Sequence, residues 1–251
     1  MESILNSNSG INVIEATLRY KDKIVLNDAK LRAQPGEIVG LLGSNGAGKS
    51  SFFDILCGIN PTATLRTEKA LSPGQCIYLS QAITTPAALK MHEIAEMITL
   101  MSGVIDLAAM KARRNELIGE YKRSRFDEIG ALRSGVCSYG EKRWYIAMCL
   151  LAIDRDVYIL DEPTSGVDPE YRYYIWQAIA TLKKRQKTIL VSSHLVSEIA
   201  DNCDYFYFLV NGKFTKYRDS ADFSSTFDCD SLDAAFIRAA QGVNPKSLAF
   251  A

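Results

Sequence analysis

The stretch that decides the fold is "EIVGLLGSNGAGKSSFFDILCG", residues 37–58. It opens on a short, continuous apolar run, the mark of a strand buried on both faces, as in the middle of a parallel sheet. It closes on "KSSFFDILCG", whose spacing predicts a helix ending near Gly58. Between them Gly43, Gly46 and Gly48 with Lys49 and Ser50 satisfy G-x-x-x-x-G-K-[ST] in the strand-then-helix context that the pattern requires. Such a loop lets backbone N–H groups curl around phosphate while the helix N-terminus adds a favourable partial charge. Lys49 is then placed to reach the β- and γ-phosphates, and Ser50 to ligate Mg²⁺.

Working outward, "INVIEATLRY" and "IVLNDAKLRA" alternate apolar and polar positions on either side of "KDK", predicting two half-exposed strands joined by a turn. Residues 60–74 read as irregular or short hairpin structure, and "CIYLS" as another strand. From Met91 to about Arg125, "HEIAEMITLMSG" and "DLAAMKARRNELIGEYKR" have helical spacing, which predicts a helical insert. In it Ile94, Met97, Ile98 and Met101 are expected to face the core of the insert. From Ser138 onward helix and strand alternate: "EKRWYIAMCLLA", "VYILD", "PEYRYYIWQAIATLKKR", "TILVSS", "LVSEIADNC", "YFYFLV". That alternation predicts a parallel, helix-covered sheet. "SLDAAFIRAA" reads as a short helix and "GVNPKSLAFA" as a mobile tail.

The charges balance at 29 basic and 29 acidic side chains, which argues against a nucleic-acid partner. The six cysteines form no Cys-x-x-Cys pair, so ordinary reduced thiols are expected rather than a zinc site or disulfide framework. "MESILNSNSG" has no basic, then apolar, targeting pattern, and no apolar run approaches the length of about 18 residues that a membrane span needs. The chain is expected to be cytosolic.

Further polar groups gather at the ends of strands, where open α/β sheets place ligands. "VYILDEP" delivers Asp161, suited to the Mg²⁺ shell, and Glu162, suited to polarising an attacking water. His194 follows "TILVSS" and Gln81 ends "CIYLS"; both are candidates for the γ-phosphate region, Gln81 also for Mg²⁺. His92 reads as a surface residue. "VCSYGEKRWYIA", residues 136–147, offers a second anion cradle, with Ser138 and Gly140 just before a helix.

In this order the pieces resemble the ATP-binding subunit of ABC transporters from about Asn12 to Ala240. "GSNGAGKSS" looks like the phosphate loop, adding Ser44, Asn45, Ala47 and Ser51 to the nucleotide contacts; "YLSQ" resembles the glutamine loop. "CSYGEKR" is similar to the signature, with Glu141 beside Ser138 and Gly140; "VYILDEP" resembles the magnesium strand, "SGVD" with Asp168 the dimer loop, and "SSH" the histidine switch. The resemblance implies that Tyr20 stacks on adenine, worth on the order of 1 kcal/mol beyond burial. It implies Glu162, His194 and Gln81 as catalytic residues, and ATP with Mg²⁺ as ligands. The fold it implies is α/β: a P-loop NTPase core with a mainly parallel sheet, an N-terminal antiparallel β-subdomain and a helical insert. One domain is expected over 1–240, its insert at about 91–135, with a tail at 241–251.

In this family the signature closes over ATP held by a second subunit, so two cradles per chain imply two chains, a homodimer being favoured. Separate membrane permease subunits are implied as partners on the cytoplasmic face, meeting the segment from Gln81 to about Arg125. The signature departs from Leu-Ser-Gly-Gly-Gln: Cys137, Tyr139 and Glu141 replace Leu, Gly and Gln. The segment between Cys57 and Cys76 is shorter than in relatives. "VSSHLVSEIADNCDYFYFLVNGKF" and "SLDAAFI" resemble ATPase subunits of exporters, while importers share Ser-Tyr-Gly-Glu; export is favoured, with an importer or a soluble non-transport ABC ATPase as alternatives. A GTPase switch is disfavoured because "NGKF" lacks the acid that reads guanine.

Overall fold

A computed structural model describes residues 10–21, 23–61 and 63–242. The leading segment "MESILNSNS" and the tail from residue 243 lie outside them. Strands β1 (Ile11–Tyr20) and β2 (Lys23–Ala33) pair antiparallel, and β3 (Ile38–Leu42) leads through the glycine loop into helix α1 (Lys49–Leu56). The stretch after α1 contributes β4 (Thr64–Thr67), a four-residue strand on the free edge of β1, so the antiparallel unit is three-stranded in the order β2-β1-β4.

Then come β5 (Cys76–Leu79), helices α2 (Met91–Met101), α3 (Leu107–Ile118) and α4 (Glu120–Ala131), α5 (Tyr139–Leu151), β6 (Val157–Asp161), α6 (Pro169–Lys184) and β7 (Thr188–Ser192). The helical run "DLAAMKARRNELIGEYKR" forms two helices, α3 and α4, that meet at Gly119. The chain ends through α7 (Val196–Asn202), β8 (Tyr205–Val210), β9 (Lys213–Tyr217), α8 (Ser220–Thr226) and α9 (Leu232–Ala240). The main sheet has the order β5-β6-β7-β3-β8-β9, parallel throughout except β9, which returns antiparallel on β8.

The period of two in the central strands builds two cores at once. Ile38 and Leu42 of β3, with Tyr158 and Leu160 of β6, join the apolar cluster shared with α5 and α6. Val39, Leu41, Val157 and Ile159 face the other way, onto α1 and the antiparallel sheet. Phe52 and Phe53 of α1 are fully buried there, each worth roughly 1.5–3 kcal/mol of apolar burial. This packing clamps α1 against the sheet and so fixes the loop that precedes it.

The expected inward stripe of the insert holds for only half its members. Ile94 is buried and Ile98 packs against the core, whereas Met97 and Met101 are 46% and 84% exposed. The helix is covered on one flank, by α4 and α5, and the two methionines lie off that flank.

Candidate nucleotide site

Strand β3 ends at a loop that cannot be built from ordinary residues. Gly48 sits at φ 114°, and a Cβ there would lie 2.8 Å from Val25 Cγ1. Three of the sequence-predicted positions pack inside the loop itself: the carbonyls of Gly43 and Ser44 accept from Lys49 Nζ at 2.7 and 3.3 Å, and Ala47 N–H donates to the Ser44 carbonyl. Lys49 is buried, and that burial lowers its pKa, opposed by the nearby carboxylates of Glu162 and Asp161. A buried ammonium with only carbonyl partners favours an added anion.

The loop opens on a cavity of about 340 Å³ whose lining includes Tyr20, Asn45, Gly46, Gly48, Lys49, Ser50, Ser51, Gln81 and Glu162. Nine positions predicted from the sequence thus share one space, together with Lys23 and Val25 of β2, which the sequence reading did not single out. Tyr20 is half-exposed at the mouth, and its hydroxyl accepts from Asn60 Nδ2 at 2.6 Å, which fixes the ring.

Glu162 leaves β6 at φ 48°, a left-handed value that a carboxylate-bearing residue adopts at a cost of order 1–3 kcal/mol. The strained turn is held by two bonds from its own N–H, to Ser192 Oγ at 3.0 Å and the Ser192 carbonyl at 3.2 Å. Its Oε2 accepts from Gln81 Nε2 at 3.3 Å and lies 3.1 Å from His194 Nδ1. With Glu162 ionised, that second contact requires the hydrogen on Nδ1. Oε1 takes no hydrogen bond from the described residues, so one carboxylate oxygen is anchored and the other is free to accept.

Asp161 lies at the end of the same strand, and its Oδ1 is bound by the Ser192 hydroxyl. Its Oδ2 is buried without any hydrogen-bond partner among the described residues. A carboxylate oxygen left bare in the interior is costly; Asp161 does not itself line the cavity, but its oxygen, the Ser50 hydroxyl and the Gln81 amide are hard oxygen donors of the kind that suit Mg²⁺. The residues present fit that ion.

The remaining predicted positions lie elsewhere. Ser138, Gly140, Glu141 and Asp168 do not line the cavity. Ser138 caps α5: its Oγ accepts from Glu141 N–H at 3.2 Å while Glu141 Oε2 accepts from Ser138 N–H at 2.8 Å. Glu141 Oε1 also pairs with Arg125 of α4. Asp168 is exposed at the start of α6 and makes no side-chain cap. His92 is exposed, bonded through Nδ1 to the Gly130 carbonyl. All six cysteines are free thiols.

Sequence reasoning missed Ser192, which supports both acids; Glu198, buried and accepting from Thr164, Trp176 and Ser193; and Arg143, buried beneath the acids. Ser192 was readable as the first serine of "SSH". The other two carry little local signal, because most of their partners are distant in the sequence: Ser80, Gln81 and Asp161 to Pro163 for Arg143, and Thr164 and Trp176 for Glu198.

The model of the family described as ABC transporter matches residues 26–165. Protein McbF of Escherichia coli is 30% identical over 217 residues, which cover 85% of this chain and 87% of that protein. Nod factor export ATP-binding protein I of Burkholderia orbicola (strain AU 1054) is 29% identical over 86% of this chain and 73% of its own. Among solved structures, an ATP-binding subunit of an ABC transporter superposes with a TM-score of 0.76 at 23% identity, over 91% of this chain and 98% of that one; a nucleotide-free ATP-binding cassette gives 0.69 at 14%. These likenesses show the fold, and the sequence matches show the family: the chain belongs to the ABC transporter family, as an ATP-binding, ATP-hydrolysing subunit.

Proposed function

We propose that this chain powers export through separate membrane subunits, with two copies closing head to tail over two molecules of Mg-ATP. The observation that carries the catalytic part is the convergence of Gln81 and His194 on a single oxygen of Glu162 beside the phosphate loop. Held this way, Glu162 directs its free oxygen to a water in line with the γ-phosphorus and takes its proton, while Gln81 and His194 respond to the presence of the γ-phosphate. Mg²⁺, when bound through Ser50, Asp161 and Gln81, neutralises charge on the β- and γ-phosphates.

Lys49 and the loop amides hold the phosphates, and Tyr20 offers its ring to the base. Ser138 and Gly140 lie outside the chain's own cavity, which favours their use on the ATP of a second copy. Asp168, exposed at the head of α6, is available to the same contact.

Export is favoured because several relatives are named as Nod factor export ATP-binding proteins. No helix among the described residues is long and apolar enough to cross a membrane; in this reading the pathway lies in separate membrane subunits. A groove of about 270 Å³ between the glutamine-loop segment and the insert, lined by Ile83, Thr85, Ile94, Ile98 and Leu150 among others, is where such a subunit on the cytoplasmic face docks in this reading.

The test is the Glu162→Gln chain, weighed in solution with and without Mg-ATP. The expected result is retained ATP binding, hydrolysis lower by about 10²–10⁴-fold, and a monomer that becomes a dimer only with ATP. Undiminished hydrolysis would refute the base, and a chain that binds ATP yet stays monomeric would refute the self-sufficient homodimer.

A further inference from the structure

Arg143, one turn into α5, has no solvent exposure, and none of its hydrogen bonds goes to a carboxylate. Its guanidinium is instead surrounded by main-chain carbonyls. Nε donates to Pro163 at 3.2 Å; Nη1 donates to Ser80 and Gln81, both at 2.7 Å; Nη2 donates to Asp161 at 2.7 Å and Glu162 at 2.9 Å. Five N–H groups meet five carbonyls, so the donor capacity of the side chain is fully used.

A buried cation without an ion-pair partner is an expensive way to stabilise a fold, and burial lowers its pKa. What it gains is geometric. Ser80 and Gln81 follow β5, Asp161 to Pro163 follow β6, and these are neighbouring parallel strands. The guanidinium is a rigid planar fork, so it holds both strand exits at one mutual distance. Those exits carry Gln81 and Glu162. Tyr139, also on α5, adds a hydroxyl bond to the same Gln81 carbonyl at 3.3 Å.

We propose that Arg143 is a positioning residue that holds the glutamine loop and the catalytic base in register, so that Gln81 and Glu162 reach the γ-phosphate together. The inference rests on Glu162 being the base.

The experiment uses the full chain with Arg143→Lys and Arg143→Gln, each alone and combined with Glu162→Gln. It measures kcat and KM for ATP hydrolysis and the dissociation constant of a fluorescent ATP analogue. Lysine keeps the charge with three donors and glutamine keeps two donors without charge, so neither spans five carbonyls. Each single variant is expected to lose about 100-fold in kcat, the scale of a misplacement near 1 Å, while KM and the dissociation constant stay within about twofold. In the Glu162→Gln background the same changes are expected to cost nothing further, because the base they position is gone.

Wild-type kcat in both single variants would overturn the proposal. So would losses that multiply with that of Glu162→Gln, since Arg143 would then act elsewhere, or failure of both variants to bind nucleotide, since Arg143 would then serve folding. A Glu162→Gln chain that turns over normally refutes the base assignment instead, a result read independently of the Arg143 single variants.

Discussion

The N-termini of α1 and α5 both present the free N–H groups and partial positive charge that draw anions, yet they are finished in opposite ways. At α1 the cap is Gly48, no side chain accepts from the first turn, and the first helical residue is a buried lysine. At α5 the cap is Ser138, the capping box is closed by Glu141, and Glu141 is neutralised by Arg125. The first end is left open for a ligand that supplies the missing acceptors; the second already contains its own anion. An open cradle has free donors for an anion, whereas a self-capped one has only its serine hydroxyl and exposed edge to offer.

The largest expected effect falls on the open end. Lys49→Ala removes a charged donor to phosphate, and nucleotide affinity should drop by on the order of 10–100-fold, read by titration with a fluorescent analogue. If affinity holds, the open end is not the primary cradle.

Ser138→Ala should leave the chain's own nucleotide affinity within about twofold of wild type while hydrolysis falls. It should also lower the melting temperature by about 2–4 °C, from a cap worth about 1 kcal/mol. A matching loss of nucleotide affinity would mean that both ends serve one site.

Glu141→Gln sharpens the contrast further, because glutamine preserves the capping box without the charge. The Ser138 N–H, first among its partners, holds the Glu141 carboxyl below its ordinary value near 4.5. A lowered acid stabilises the fold fully above that value and loses the contribution as the pH falls through the lower folded one. The variant should therefore be less stable than wild type in denaturant titrations at pH 7, with the gap closing well below pH 4.5. A gap that persists in acid would assign the effect to packing.

Smallest of all is Arg125→Gln. The ion pair is partly exposed and worth about 0.2–1 kcal/mol, so the melting temperature should move by under about 4 °C and less in high salt.

How much could be read in advance follows the same line between local and assembled features. The glycine loop, the strand that feeds it and the acids of "VYILDEP" were legible because their chemistry sits on consecutive residues. So was the antiparallel pair, from alternation of apolar and polar positions, although the register shifts within it were not. Strand β4, "TLRT", was hidden because it is short and polar and is stabilised only by pairing with β1.

Strand β9 was announced by a signal read for another purpose. "NGKF" lacks the acid of a base-reading motif, and its Asn211 at φ 49° and Gly212 at φ 75° form the tight turn that folds β9 back on β8. The half-buried fate of the α2 stripe was set by what packs on it, which periodicity does not reveal. Arg143 is the extreme case: its five partners come from two strand exits that are far apart in the chain, and nothing near it in the sequence announces them.

The position of β3 in the main sheet has a consequence for how the molecule is born. Its two neighbours are β7 and β8, both from the far end of the chain. A ribosome that has just released the phosphate loop has not yet made either of the strands that hold it. Until Ser192 has emerged, the central strand has no parallel partner, and until Val210 has emerged one of its edges stays open; at about 5–20 residues per second the first delay alone is roughly 8–30 s. Through that interval an apolar segment with unpaired edges is exposed to other chains, so nucleotide binding is an event of the finished protein, and the nascent chain depends on protection before it can bind its own ligand.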